Sequence, residues 1–130
     1  MKKLMIVLLM LVVSFTTEAQ KPNKNAKLSI KVDGVCYMCK KRIEKAALKT
    51  KGVKFAIWDV KTHLLSLIID ERKTSKKTIQ KNIAAVGHDT KDIKAKDEVY
   101  NAIDPCCKYR DEQVVKDHQK PKKNNKWKIT

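Results

Sequence analysis

Two pairs of cysteines are the residues of this chain best suited to chemistry. Cys36 and Cys39 are separated by two residues, and Cys106 and Cys107 are adjacent. A cysteine with a lowered pKa loses its proton near neutral pH, and the resulting thiolate binds metals and attacks disulfides. Thiolates select soft metal ions such as Cu(I). The cysteines therefore predict either soft-metal binding or thiol–disulfide exchange.

The first pair is predicted to lie in a short loop between a strand and a helix. Apolar and polar residues alternate over residues 27–33, as in a strand with one buried face. A helix is predicted over residues 39–51, with Cys39 at its start. Unpaired N–H groups and the positive end of the helix dipole lower the pKa of a thiol at that position. The loop therefore favours the metal-binding form of its cysteines.

Two strands, a second helix and a short last strand are predicted to follow. Alternation indicates strands at 53–60 and 64–70, helical spacing indicates a helix from Thr74 or Ser75 to Val86, and residues 88–95 supply the last strand. The positions expected to face the core are Ile43, Ala46, Ala47, Thr50, Ala56, Trp58, Val60, Leu65, Leu67, Ile69, Ile79, Ile83 and Val86. This βαββαβ order, with two helices on one face of an antiparallel sheet, predicts an α+β, ferredoxin-like split βαβ sandwich.

Motifs along this order resemble the heavy-metal-associated domain family of copper chaperones, copper-transporting ATPase modules and the periplasmic mercury-binding protein. The resemblance covers residues 27–92 and is carried by Val32-Asp33-Gly34, Cys36-x-x-Cys39, Arg42-Ile43-Glu44-Lys45-Ala46, Gly52-Val53, Asp59, Asp70 and Gly87-His88-Asp89. It implies a non-enzymatic protein whose Cys36 and Cys39 bind a soft ion, Cu(I) first and Hg(II) second. It also implies that Val35 or Met38 packs beneath the loop.

Three further residues are candidate ligands. His88 follows the second helix, where relatives often carry Tyr or Lys close to the metal loop, and imidazole suits copper; the alternative is a loop histidine without a metal role. Cys106 and Cys107 follow a predicted short helix at 97–103 and are extra ligands, disulfide partners or free thiols. As ligands they would give a three- or four-sulfur site that also accepts Zn(II). His63 is expected at the opposite end of the fold.

The N-terminus predicts export. Residues 1–19 have a short basic region, an apolar run and small residues before Ala19, which is typical of a signal peptide cleaved there. The run is shorter than the ~20 residues of a membrane-spanning helix, so we expect a periplasmic or secreted chain without a transmembrane segment after cleavage. The predicted organisation is signal peptide 1–19, disordered leader 20–26, heavy-metal-associated domain 27–94, C-terminal helical extension 95–110 and disordered basic tail 111–130.

The charge of the chain bears on its partners. The chain contains 30 Lys and Arg residues and 14 Asp and Glu residues, which gives a net charge of +16. Export and the lack of a basic motif interleaved with aromatic residues argue against nucleic acid. Positive residues flank the cysteines, at Lys40, Lys41, Arg42 and Lys45. We therefore expect a monomer that approaches an acidic metal-transporting membrane protein or efflux component.

Two other functions fit the cysteines. One is an exported thiol–disulfide oxidoreductase that uses Cys36 and Cys39 as its redox pair. Against it, the chain lacks the Trp before and the Pro after the motif by which thioredoxin-like proteins resemble one another. The other is an interaction module whose thiols form a structural disulfide in an oxidising compartment. Metal binding and reductase activity distinguish the three functions.

Overall fold

A computed structural model describes residues 20–120 and, within them, has a three-stranded antiparallel sheet with two helices on one face. The elements of this domain are β1 Ala26–Lys31, α1 Tyr37–Leu48, β2 Val53–Trp58, β3 Leu64–Ile69 and α2 Lys76–Ala84. The strand order is β1-β3-β2, so β3 is central. The extension adds α3 Asp97–Ala102, a 3₁₀ turn at Pro105–Cys107 and α4 Glu112–Gln119. The predicted ferredoxin-like fold class with a C-terminal extension is confirmed.

The last predicted strand is reduced to a single antiparallel bridge between Val32 and Thr90. The reason is local: the Thr90 N–H and hydroxyl both donate to the Ile93 carbonyl, and the Ile93 N–H donates back to the Thr90 hydroxyl. These bonds turn the chain back on itself after one bridge. The prediction of a strand over 88–95 was therefore wrong in length.

The core lies between the sheet and the two helices, as the periodicity predicts. Alternate residues of the strands point inward, and those on the opposite face are exposed apart from the half-buried Ile68. The predicted inward positions are all buried except Val60 and Val86, which are half-buried. Burial of these apolar side chains, at about 25 cal/mol per Å², is the main stabilising contribution to the domain.

The leader is more ordered than the sequence predicts. The Asn23 N–H donates to the Glu71 carboxylate, and the Glu71 N–H donates to the Asn23 carbonyl. Ala26 pairs with Ile69 as the first residue of β1. The prediction of disorder over 20–26 was therefore wrong from Asn23 onward, because these backbone groups have partners on the turn after β3.

The basic tail also begins with a helix. The Asp111 carboxylate accepts a hydrogen bond from the Gln113 N–H and caps α4. Val114 and Val115 pack against the hydrophobic core and bury part of one helix face. The prediction of disorder from residue 111 was therefore wrong over Glu112–Gln119, where a cap and two apolar residues outweigh the high charge.

Other predictions about the ends are not addressed by the structure. The predicted signal peptide at 1–19 and the remainder of the tail at 121–130 lie outside the described residues. Among residues 20–120, the helices are too short or too polar to cross a membrane.

Candidate metal centre

The loop that carries Cys36 is held from both sides as it leaves β1. The Val32 N–H donates to the His63 carbonyl on the β2–β3 turn, and the next N–H, that of Asp33, donates to the Asp89 carbonyl after α2. Trp58 lies beneath the loop and donates its indole N–H to the Val32 carbonyl. The loop is therefore fixed by three separate segments of the domain.

Gly34 allows the loop to approach this support closely. A Cβ atom at Gly34 would lie 3.0 Å from both Cys39 Cβ and Trp58 Cη2, closer than side chains pack without a shift. Val35 is buried next to it, whereas Met38 is about half exposed. Val35 is therefore the residue that packs beneath the loop.

His63 lies near this loop and not at the opposite end of the fold. Its ring stacks on Trp58 with 5.7 Å between ring centroids. The prediction was wrong because β2 runs back toward the end of the domain where β1 finishes, which places the β2–β3 turn beside the metal loop.

The two loop cysteines have different environments. Cys36 is the N-cap residue of α1, with extended backbone dihedrals, and its side chain is half-buried. Cys39 lies in the first turn of α1 and is fully buried in the core. Their Sγ atoms are 3.5 Å apart, so the structure places the predicted pair side by side.

The C-terminal cysteines meet this pair. Cys107 Sγ lies 3.5 Å from Cys36 Sγ and 4.0 Å from Cys106 Sγ. Cys106 is exposed, and its Sγ lies 3.5 Å from the Met38 Sδ. The Sγ atoms of Cys36, Cys106 and Cys107 all lie within 4.8 Å of one another. The fold thus gathers all four cysteines of the chain at one end of the domain.

Arg42 joins α1 to the turn that carries Cys106 and Cys107. Its guanidinium forms an ion pair with the Asp104 carboxylate, and the Asp104 carbonyl accepts a hydrogen bond from the Cys107 N–H. Burial lowers the pKa of Arg42, but the adjacent Cys107 and Asp104 raise it above its ordinary value. A permanent positive charge therefore lies beside the Cys107 sulfur.

His88 is not part of the sulfur cluster. It is fully buried, its Nδ1 lies 2.8 Å from the Asp33 carbonyl, and its Nε2 lies 3.4 Å from Arg42 Nη1. This arrangement requires a neutral ring that donates from Nδ1 and accepts at Nε2. Burial, together with the charge of Arg42, lowers the pKa of His88 to about 4. Both ring nitrogens therefore have partners within the protein, and His88 supports the loop.

Tyr109 and Arg110 attach the extension behind His88. The Tyr109 hydroxyl donates to the Gly87 carbonyl and accepts from the Asp89 N–H, and its ring stacks on His88 at 5.5 Å. Arg110 binds both carboxylate oxygens of Asp89, which helps to hold the pKa of Asp89 below its usual range despite burial. These contacts lie just beyond Lys108, which follows Cys107, and they fix the 3₁₀ turn on the domain.

The thiols differ in acidity. Burial raises the pKa of Cys36, but the Cys39 backbone N–H and the Cys107 thiol outweigh it, so the net pKa lies below the ordinary value. Burial raises the pKa of Cys39 to about 12. Desolvation and the charge of Cys107 raise the pKa of Cys106 to about 11. Among these three, Cys36 is therefore the first to become a thiolate.

Sequence reasoning did not identify the supporting residues Arg42, Asp104, Tyr109 and Arg110. The sequence places Arg42 in a motif of the family resemblance and among the positive residues beside the cysteines, but its pairing with Asp104 depends on the tertiary structure. The extension did carry one sequence signal: Tyr109 and Arg110 follow the Cys-Cys pair after a single residue, Lys108. An aromatic residue and an arginine there are typical of an attachment point rather than of a disordered tail.

Residues 29–89 match the model of the heavy-metal-associated domain. This part of the chain is therefore a heavy-metal-associated domain, and the resemblance predicted from its motifs is confirmed. The match ends before Cys106 and Cys107. A comparison with curated proteins gives no significant match.

Solved structures of several small metal-binding domains are similar to about half of the chain. A structure titled CopZ metallochaperone is 24% identical in sequence, with a TM-score of 0.49. The aligned region covers 50% of this chain and 98% of that chain. Oxidized MerP from Ralstonia metallidurans CH34 is 24% identical, with a TM-score of 0.45, and covers 50% and 94%. The N-terminal domain of the zinc(II) ATPase ZiaA in its apo form is 34% identical, with a TM-score of 0.46, and covers 51% and 63%.

Proposed function

We propose that this protein binds a soft metal ion, Cu(I) first and Hg(II) second, through the thiolates of Cys36 and Cys39. The observation that carries the proposal is the 3.5 Å distance between their Sγ atoms at the N-terminus of α1, within a heavy-metal-associated domain. Two sulfurs so placed can hold one soft ion and leave its other coordination positions open. The thiols of a partner can bind the ion at these open positions and take it by ligand exchange.

The thiol acidities support this role. The lowered pKa of Cys36 makes it the more easily ionised of the two thiols, and the ion itself displaces the proton from Cys39. Cys36 is half-buried and can meet an incoming ligand, whereas Cys39 is buried and anchors the ion on the domain. Buffering or delivery of the ion requires no catalytic base.

The partner we propose is an acidic surface on a metal-transporting membrane protein or efflux component. Of the four positive residues beside the cysteines, Lys40 is paired with Glu44 and Arg42 with Asp104. Lys41 and Lys45 are exposed on α1, and they would steer such a partner toward the loop. Export to the periplasm or outside the cell is the compartment we propose, on the sequence pattern of residues 1–19.

An anaerobic Cu(I) titration of the reduced protein against a chromophoric competitor tests the proposal. The Cys36→Ser/Cys39→Ser variant is expected to lose Cu(I) binding. The Ser29→Ala/Ser66→Ala variant is a matched control, because both serines lie exposed on the outer face of the sheet, and it is expected to bind as the unchanged protein does.

Two results would overturn the proposed function. The first is that the protein without substitutions binds neither Cu(I) nor Hg(II). The second is that the Cys36→Ser/Cys39→Ser variant binds Cu(I) as tightly as the protein without substitutions does. Thiol–disulfide exchange activity without metal binding would instead favour the oxidoreductase.

A further inference from the structure

Cys106 and Cys107 lie outside the family match, but their sulfurs lie against the metal loop. We propose that Cys36, Cys106 and Cys107 form a three-thiolate site for one soft metal ion, adjoining Cys39. This inference rests on the proposed function and extends it, because it adds two ligands from a segment that the heavy-metal-associated domain does not contain. The observation that carries it is that the three Sγ atoms lie within 4.8 Å of one another.

The distances fit thiolate ligands of a common ion. A metal–sulfur bond of about 2.3 Å places two sulfurs about 3.8 Å apart in tetrahedral geometry and about 4.0 Å apart in trigonal geometry. The observed Sγ distances are 3.5 Å for Cys36 and Cys107 and 4.0 Å for Cys106 and Cys107. Small side-chain rotations are therefore sufficient to place all three sulfurs around one ion.

The turn that carries the two cysteines is held in place before an ion arrives. Pro105 fixes one backbone dihedral, the Cys107 N–H donates to the Asp104 carbonyl at 2.8 Å, and the Asp104 carboxylate is paired with Arg42. After the turn, the Lys108 ammonium donates to the Tyr100 and Asn101 carbonyls at the end of α3. A ligand set that is preorganised in this way binds with a smaller loss of conformational entropy.

A positive charge beside the cluster offsets part of the charge of three thiolates. Three thiolates carry three negative charges, which a monovalent or divalent ion does not neutralise. The Arg42 guanidinium lies beside Cys107 and offsets part of the remainder. A function as a paired disulfide is less favoured for Cys106 and Cys107, because adjacent cysteines form a strained ring.

The three sulfurs differ in burial, which determines the side from which an ion can enter the site. Cys107 is buried, Cys36 is half-buried and Cys106 is exposed beside Met38. An ion therefore reaches the cluster from the Cys106 side. A third thiolate then occupies a coordination position that a partner would otherwise attack, so the extension makes the protein retain its ion more tightly than the loop pair alone does.

Titration of the reduced full chain with Cd(II) tests the inference, because the intensity of sulfur-to-cadmium charge-transfer absorption increases with the number of bound thiolates. Cys106→Ser is the main variant, since its side chain is exposed and the change leaves the core intact. We expect this variant to lose the charge-transfer absorbance contributed by one thiolate. We also expect its metal affinity to fall at least about 10–100-fold, the usual cost of losing a supporting group around a metal. Asn101→Ser, an exposed change on the same extension, is the matched control and is expected to bind as the unchanged protein does.

The Cys106→Ser/Cys107→Ser variant, checked for folding by circular dichroism, is expected to lose two thiolates of absorbance. Should this variant unfold, Cys106→Ser alone decides. Unchanged absorbance and affinity in Cys106→Ser would overturn the three-thiolate site while leaving the proposed function intact. An unchanged protein without thiolate absorbance on addition of Cd(II), Cu(I) or Hg(II) would overturn both.

Discussion

Cys36 Sγ lies 3.5 Å from Cys107 Sγ, although 71 residues separate the two cysteines in the chain. The same Cys36 sulfur lies 3.5 Å from Cys39 Sγ. Cys36 is thus the shared member of the loop pair and of the C-terminal cluster. Any ion that moves between the two sets can keep its bond to Cys36 while its other ligands exchange.

The acidities of the thiols predict an order of alkylation in the reduced, metal-free protein. Cys36 is expected to react with iodoacetamide at neutral pH before Cys106, although Cys106 is the more exposed, because the pKa of Cys36 lies below its ordinary value and that of Cys106 is raised to about 11. Cys39, buried and with its pKa raised to about 12, is expected to react more slowly than Cys36. Peptide mapping after brief alkylation measures the order, and faster labelling of Cys106 than of Cys36 would contradict it.

Replacement of Arg42 by Gln is expected to lower metal affinity about 10–100-fold, the usual cost of losing a supporting group around a metal. The change removes the ion pair with Asp104 and the positive charge beside Cys107. Lys41→Gln is the control, because it removes the same charge from the neighbouring, exposed position. Competition titrations with Cu(I) compare the two variants, and equal affinities would show that Arg42 acts only through net charge.

Gly87→Ala and Gly52→Ala are expected to separate stability from metal binding. Both glycines have φ near +95°, where a side chain costs about 1–3 kcal/mol. A Cβ at Gly87 would lie 2.6 Å from Ile103 Cγ2, just before the turn with Cys106 and Cys107, whereas one at Gly52 would lie 2.8 Å from Lys73 Cβ, near the other end of α1.

Urea unfolding is therefore expected to show a loss of stability in both variants, and Cd(II) titration a loss of affinity in Gly87→Ala alone. Equal affinities in the two variants would show that the extension keeps its place without the close contact between Gly87 and Ile103.

The buried, neutral His88 predicts acid sensitivity. Its pKa is lowered from 6.5 to about 4 in the folded protein, so the unfolded chain binds more protons between these values and stability falls as the pH is lowered through this range. The loss amounts to about 2 kcal/mol between about pH 7 and about pH 5, where ordinary carboxylates still titrate little. Urea unfolding at several pH values measures it.

His88→Gln is expected to be less stable at neutral pH but to lose most of this pH dependence. His118→Gln, a change on the exposed α4, is the control and is expected to keep it. The same slope in His88→Gln as in the unchanged protein would assign the acid sensitivity to other groups.

The sequence was a good guide wherever local pattern decides structure. The alternation of Leu65, Leu67 and Ile69 predicted which face of β3 is buried, and helical spacing did the same for Ile43 and Ala47.

Only the part of the metal centre formed by neighbouring residues, Cys36 and Cys39, could be predicted from the sequence. The spacing of Cys36 and Cys39 on one helix start brings their sulfurs together, which a pattern can show. The position of Cys107 beside Cys36 depends on how the turn after α3 packs on the domain. This packing cannot be predicted from the periodicity of the sequence. The burial of His88 depends in the same way on Tyr109, which covers it from a distant part of the chain.

The Tyr109 hydroxyl, which binds Gly87 and Asp89, has a consequence for where the cooperative folding unit ends. The family match stops at residue 89, yet a fragment cut there loses this hydroxyl, the Arg110 partner of Asp89 and the aromatic cover of His88. The segment after the domain is therefore structural as well as a carrier of ligands. Transplanting the metal centre into another scaffold requires the chain at least as far as Arg110, and insertion or loss of residues between the two parts is costly for the fold and for the sulfur cluster at once.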